Sequence, residues 1–176
     1  YRSTPMPTLQ QIKLALKISH TTDDAELLRL REAVISLVEN YTGLTLQTKS
    51  VTQYSNFWMR TRLNDFPFVS ITSVQYYNSL NVLTTLPTAD WFLDKSDPPA
   101  TFINFLDYPS LYEGTQIVVN YVAGSSVIPL DLDQAIIAFV GGLYNNPEHL
   151  SPISLQEVPL SAKFILDNHK NKSVLS

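Results

Sequence analysis

The period of the apolar residues changes twice along this chain, and that constrains its fold more than any single motif. Up to Gly43 they recur at helical spacing, as Leu9, Ile12 and Leu16, and then as Leu27, Leu30, Val34, Leu37 and Tyr41 with Val38 beside them. Thr8 is placed to cap the first of these helices, which should end near Ser19 and His20. Thr22 is placed to cap the second, with Asp23, Asp24 and Glu26 at its positive end and Gly43 suited to the position just past its C-terminus. From Leu44 to about residue 122 the character is β: "LQTKSVTQYSNFWMRTRL", "FPFVSITSVQYYNS", "LNVLTTL", "DWFLD", "TFINFL" and "GTQIVVNYV" are short runs rich in threonine, valine and aromatics. Pro67, Pro87, Pro98, Pro99 and Pro109 punctuate them, so each predicts an edge or a turn, and "KSDPPA" and "DYPSLYEGT" read as exposed loops. Helical spacing returns in Ile136, Phe139, Val140 and Leu143, which Asp131 or Asp133 would cap and Pro147 would end, and in a short helix around "LSAKFILDNHK". The polar residues 171–176 read as a mobile tail.

Segregated blocks of this kind predict an α+β fold: terminal helices, about 8–43 and 131–170, packed together beside an inserted antiparallel β meander of roughly five to seven strands. At 176 residues, one domain is the expectation. A net charge of −4 with only 16% charged residues argues against a surface built to neutralise duplex DNA. The absence of cysteine rules out disulfides, thiolate zinc sites and cysteine nucleophiles. No run approaches membrane-spanning length and "YRSTPMPTLQQ" lacks a signal-peptide profile, so a soluble protein without a membrane partner is expected. The chain opens on Tyr1, as a processed or truncated one would.

Candidate chemistry is thin. The Asp131 and Asp133 pair could hold a divalent cation, but its place at a helix start favours capping and dipole complementarity. His20, His149 and His169 have no second histidine at i+3 or i+4 and no nucleophile-elbow serine nearby, so surface and helix-end roles are favoured. Gly141 and Gly142 break a strong helix with no phosphate-loop pattern around them, which points to close approach of a neighbouring helix, in this subunit or another. In "YSNFWMRTR", Tyr54, Phe57 and Trp58 lie beside Arg60 and Arg62. Such a set can stack on single-stranded nucleic acid or form a protein interface, and the acidity of the chain favours the interface. Two other classes stay open: a carbohydrate- or tail-associated β binding module with Trp58, Trp91, Tyr76 and Tyr77 as a stacking surface, and, far behind, a hydrolase using Asp94 and Asp97 or Asp131 and Asp133. No catalytic residue, metal ligand or cofactor site is assigned.

Four segments carry a resemblance: "LQQIKLALKISHTTDDAELLRLREAVISLVENYTG", "FPFVSITSVQYYN", "VVNYVAGSSVIPLDLDQAIIAFVGGLYNNPE" and "VPLSAKFILDNHK". Together, and in this order over nearly the whole chain, they resemble the head-tail connector (adaptor, head completion) proteins of tailed bacteriophages. "LYNNPE" lacks the arginine usual after the tyrosine, and the β block is longer than in compact members. The resemblance implies a non-enzymatic virion protein, assembled in the host cytoplasm as a ring of twelve subunits. The ring would sit below the portal protein, extend the DNA channel without sequence-specific binding, and receive the next connector or tail-completion protein. For the portal contact it points to the apolar and basic segment from Val158 to Ser176, with Lys163, Phe164, Ile165, Leu166, Lys170 and Lys172. Trp58, Arg60, Arg62, Gly141 and Gly142 are the candidates for subunit contacts.

Overall fold

The computed structural model describes residues 3–96, 100–125, 127–146 and 160–170. The chain is α+β, with four α-helices among the described residues, and it divides into two compact units: Tyr1–Leu46 with Ser126–Leu175, and Gln47–Ser125. Both boundaries fall within a few residues of the changes of period in the sequence.

The helical unit contains β1 (Ser3–Pro5), α1 (Leu9–Leu16), α2 (Asp24–Thr42), β9 (Val127–Pro129), α3 (Leu130–Asn145) and α4 (Leu160–His169). α1 begins in a complete capping box, in which the Thr8 hydroxyl accepts from the Gln11 amide and the Gln11 side chain accepts from the Thr8 amide. It stops at Leu16, earlier than expected, because Lys17 turns left-handed. α2 starts one residue later than its composition predicts: Asp23, not Thr22, is the N-cap, and it makes no side-chain cap bond. The Asp23 carboxylate instead accepts from the Tyr144 hydroxyl of α3 at 2.5 Å. Gly43 ends the helix at φ 71°, as expected. The stripe predicted for α2 is buried as Leu27, Leu30, Val34 and Val38, and Ile35 joins it, while Leu37 and Tyr41 are partly buried. These residues pack with Ile12 of α1, Leu132, Ile136, Phe139 and Val140 of α3, and Ala162 and Leu166 of α4 into one core. Each fully buried leucine or valine there contributes roughly 1.5–3 kcal/mol. Among the described residues the unit also has a two-stranded antiparallel ribbon, β1 with β9, which joins the start of the chain to the residues just ahead of α3. Neither strand was expected, since three residues are too few to establish a period.

The β unit holds β2 (Lys49–Ser55), β3 (Thr61–Arg62), β4 (Phe68–Tyr77), β5 (Leu83–Thr85), a 3₁₀ turn (Thr88–Asp90), β6 (Trp91–Asp94), β7 (Phe102–Phe105) and β8 (Ile117–Ala123). Its strands are antiparallel, as expected, but they do not follow one another as a meander. They form a four-stranded sheet in the order β2-β8-β4-β5 and a three-stranded sheet in the order β3-β7-β6. The last strand of the block is thus inserted between two earlier ones. β8 is the segment able to occupy a central place, because Ile117, Val119, Tyr121 and Ala123 point into the core and Val118 and Val122 are partly covered on the other face. The second core joins these residues to Leu63, Val74, Leu86, Ile103 and Phe105.

Candidate assembly surface

Three of the residues singled out for chemistry, Asp131, Asp133 and His169, lie in the end turns of helices. Asp131 and Asp133 do not cap α3, whose N-cap is Pro129; both lie in its first turn. A rotation of about 100° per residue sends the two side chains apart. Asp131 accepts from the Leu132 amide at 2.9 Å and lies 2.8 Å from Nε2 of His169, at the far end of α4. Partial burial works against its charge, but the His169 ring and the Leu132 amide outweigh this and hold its pKa below the ordinary carboxylate value. Asp133 is buried, its Oδ1 has no hydrogen-bond partner among the described residues, and burial raises its pKa. No group of three or more histidine or acidic residues able to hold a metal ion occurs among the described residues. His20 is a loop residue 3.8 Å from Asp23. His149, Pro147, Asp97, Pro98, Pro99 and Lys172 lie outside the described residues.

The motif Tyr121-x-x-Gly124 is an anchor of the β unit. The Tyr121 side chain is fully buried, with its ring beside Phe68 and its hydroxyl accepting from the Asp65 amide at 3.1 Å and bonding Gln53 at 3.2 Å. Two residues past the next strand position, Gly124 adopts φ 105° and donates to the Pro67 carbonyl at 2.8 Å. A Cβ there would sit 2.3 Å from the Gln47 carbonyl oxygen.

Of the expected contact residues, several are used within the chain itself. Trp58 packs edge-on against Tyr76 and Phe105 and donates from its indole to the Pro109 carbonyl at 2.8 Å. Trp91 and Tyr76 line the same core, so Trp58, Trp91 and Tyr76 do not make the exposed stacking platform that a carbohydrate-binding module needs. Arg60 stacks over the Phe102 ring at 3.5 Å and bonds Asp94 at 3.0 Å, while Arg62 is partly buried in β3. Gly141 does admit a close helix neighbour, but one in this chain: a Cβ there would come within 2.7 Å of Leu16 Cδ2 of α1. Around Gly142 the same atom would meet nothing. In α4, Leu166 is fully buried under α2 and α3, which removes it from any docking surface of the folded subunit. Ile165 is partly buried, whereas Lys163, Phe164 and Lys170 are exposed.

What the geometry leaves outward is a scatter of large apolar side chains. In the helical unit, Leu14 is 79% and Phe164 68% exposed. Leu14 also lines a shallow groove of about 360 Å³ with Leu9, Gln10, Lys13, Ile18 and Asp24, whose charged members pair with each other at 2.5 Å. In the β unit, Phe57 and Met59 flank Trp58 in the turn after β2, and Leu80 stands 80% exposed at the tip of the β4–β5 hairpin. That tip is ordered: the Asn78 side chain accepts from the Leu80 and Val82 amides, and Asn81 takes φ 59°. An apolar residue between Ser79 and Asn81 was the signal for this projection in the sequence.

No family model matches the chain, and no curated protein matches it by sequence. Solved structures do. A chain in "Neck of empty GTA particle computed with C6 symmetry" superposes with a TM-score of 0.73 at 18% identity, over 97% of this chain and 96% of that one. A chain in "Virion of native gene transfer agent (GTA) particle" gives 0.73 at 19% identity, and one in "Neck of native GTA particle computed with C12 symmetry" gives 0.69 at 18%, both over the same shares. The protein therefore has the fold of chains found in the neck and virion of a gene transfer agent particle, from end to end of both.

Proposed function

We propose that this chain is a non-enzymatic structural protein of a phage-like virion, a head-tail connector that forms a ring below the portal, extends the DNA channel and receives the next connector or tail-completion protein. The observation that carries the reading is the likeness in fold, over nearly the full length of both chains, to chains in neck structures computed with C6 and C12 symmetry. It agrees with the resemblance of the four sequence segments. A twelve-subunit ring is the stoichiometry that goes with it. Such a ring needs two different, mutually complementary surfaces on each subunit. The exposed Leu14, Phe57, Met59, Leu80 and Phe164 supply apolar side chains on both units from which these surfaces can be made. The acidic chain suits a channel wall past which DNA slides without being held.

For the portal contact the candidates are Lys163, Phe164, Ile165 and Lys170 on and after α4, with Lys172 beyond it; Arg60 and Gly142 remain candidates for contacts between subunits. Electron microscopy of the protein mixed with its portal tests the reading. Rings of matching symmetry stacked on the portal are expected. A monomer that never associates with the portal would remove it.

A further inference from the structure

We propose that the tip of the β4–β5 hairpin, with Leu80 at its end, seats in the groove between α1 and the start of α2 of a second copy of this chain. Each subunit then offers a knob on its β unit and a groove on its helical unit. The groove runs along α1 and reaches the first residue of α2: Leu9, Leu14 and Ile18 give it apolar walls, and Leu14 stands out from them, largely exposed. Its two charged members, Lys13 and Asp24, are paired with each other at 2.5 Å and only 15% and 31% exposed at their side chains. An occupant of this groove therefore has no free charge to meet, and the side chain that fits it is apolar and uncharged.

The hairpin matches that requirement. Residues 66–89 contain no charged side chain, and the core of a protein interface is depleted of charge because a charge buried there without a partner loses its hydration. Leu80, Val82 and Leu83 are exposed on this arm. Asn78 holds the tip in shape: its side chain accepts from the Leu80 amide at 3.0 Å and the Val82 amide at 3.1 Å and donates to the Thr84 hydroxyl at 3.2 Å, and its backbone bonds Val82 and Asn81. A projection ordered in advance loses little conformational freedom on docking. The other large projections bring charge with them. Phe57 and Met59 precede Arg60, whose side chain is 48% exposed, and Phe164 follows the exposed Lys163. Matching of charge thus selects the hairpin for the groove. Knob and groove are different surfaces, so the contact runs head to tail, and each copy can give a knob and take one. That such contacts close into a ring rests on the reading above.

The chain has no cysteine, so introduced cysteines report the contact. Ser79→Cys stands beside Leu80 and Gln10→Cys lines the groove, both at exposed positions that leave Leu80 and Leu14 in place. The two full-length variants are mixed, with and without the portal, and treated with a short bismaleimide. Covalent dimers are expected from the mixture and not from either variant alone, and the double variant should give a ladder of higher oligomers. Leu80→Ser, added to the Ser79→Cys chain, should lower the yield about ten-fold or more at limiting concentration, the factor that goes with one leucine leaving an apolar contact. The melting temperature should not change, since Leu80 is 80% exposed in the subunit. No crosslink in the mixture, with the portal or without it, overturns the proposal, as does a yield that Leu80→Ser leaves unaltered. Dimers from Ser79→Cys alone would mean that tips meet tips, which overturns it as well. Rings on the portal without the crosslink would sink the knob and groove and leave the connector reading standing, whereas the crosslink without any portal association would do the reverse.

Discussion

Gly124 and Asp133 illustrate how single residues carry opposite kinds of stress. At Gly124 the backbone takes φ 105° and passes so close to Gln47 that no side chain fits. Gly124→Ala is therefore expected to destabilise the protein by about 2 kcal/mol or more, read as a fall in the denaturation midpoint. Tyr121 closes the same corner, and Tyr121→Phe should cost about 1 kcal/mol, because it strips the partly buried Asp65 amide of its acceptor. Asp133 is a liability: burial raises its pKa, so its contribution to stability is present below the ordinary carboxylate value and lost as pH rises through the folded one. Asp133→Asn, neutral at every pH, should melt higher than the wild type at pH 7, and the advantage should vanish in acid where the wild-type carboxyl is protonated. Equal melting temperatures at neutral pH would mean that the charge is accommodated.

At the scale of elements, α3 and α4 are where local rules and packing part company. The two glycines of α3 look alike in sequence, yet Gly141 faces Leu16 of α1 and Gly142 faces open space. Gly142→Ala should stabilise the isolated subunit by up to about 1 kcal/mol through helix propensity alone. On the proposed reading, a variant that melts higher but forms no rings with the portal would mean that a helix of a neighbouring subunit uses that space, and rings that form normally would mean that Gly142 is not a subunit contact. α4 shows two faces. Leu166→Ala should cost about 2–5 kcal/mol, as for other buried leucines. Phe164→Ser, on the exposed face, should leave the melting temperature unchanged and, on the proposed reading, weaken association with the portal in a pull-down.

For the whole molecule, the division into a helical core and a β core follows from where the apolar period switches, and this much was legible beforehand. The stripe on α2, the Thr8 cap, Gly43 and the strand segments stand where their spacing and propensity put them, because each depends on neighbours three or four residues away. The order of strands was not legible: β8 lies between β2 and β4 with one face buried and valines partly covered on the other, a pairing of segments some seventy residues apart that no local period encodes. The β1–β9 ribbon, the packing of Trp58 against Tyr76 and Phe105, the burial of Leu166, and the meeting of His169 with Asp131, 38 residues apart, have the same origin. By itself the sequence determined which segments are helix or strand and which faces must be covered, because those are local matters of backbone preference and apolar spacing. Only the tertiary structure decided which covered face meets which, and so which apolar side chains remain outside, because that choice is made among long-range partners by packing.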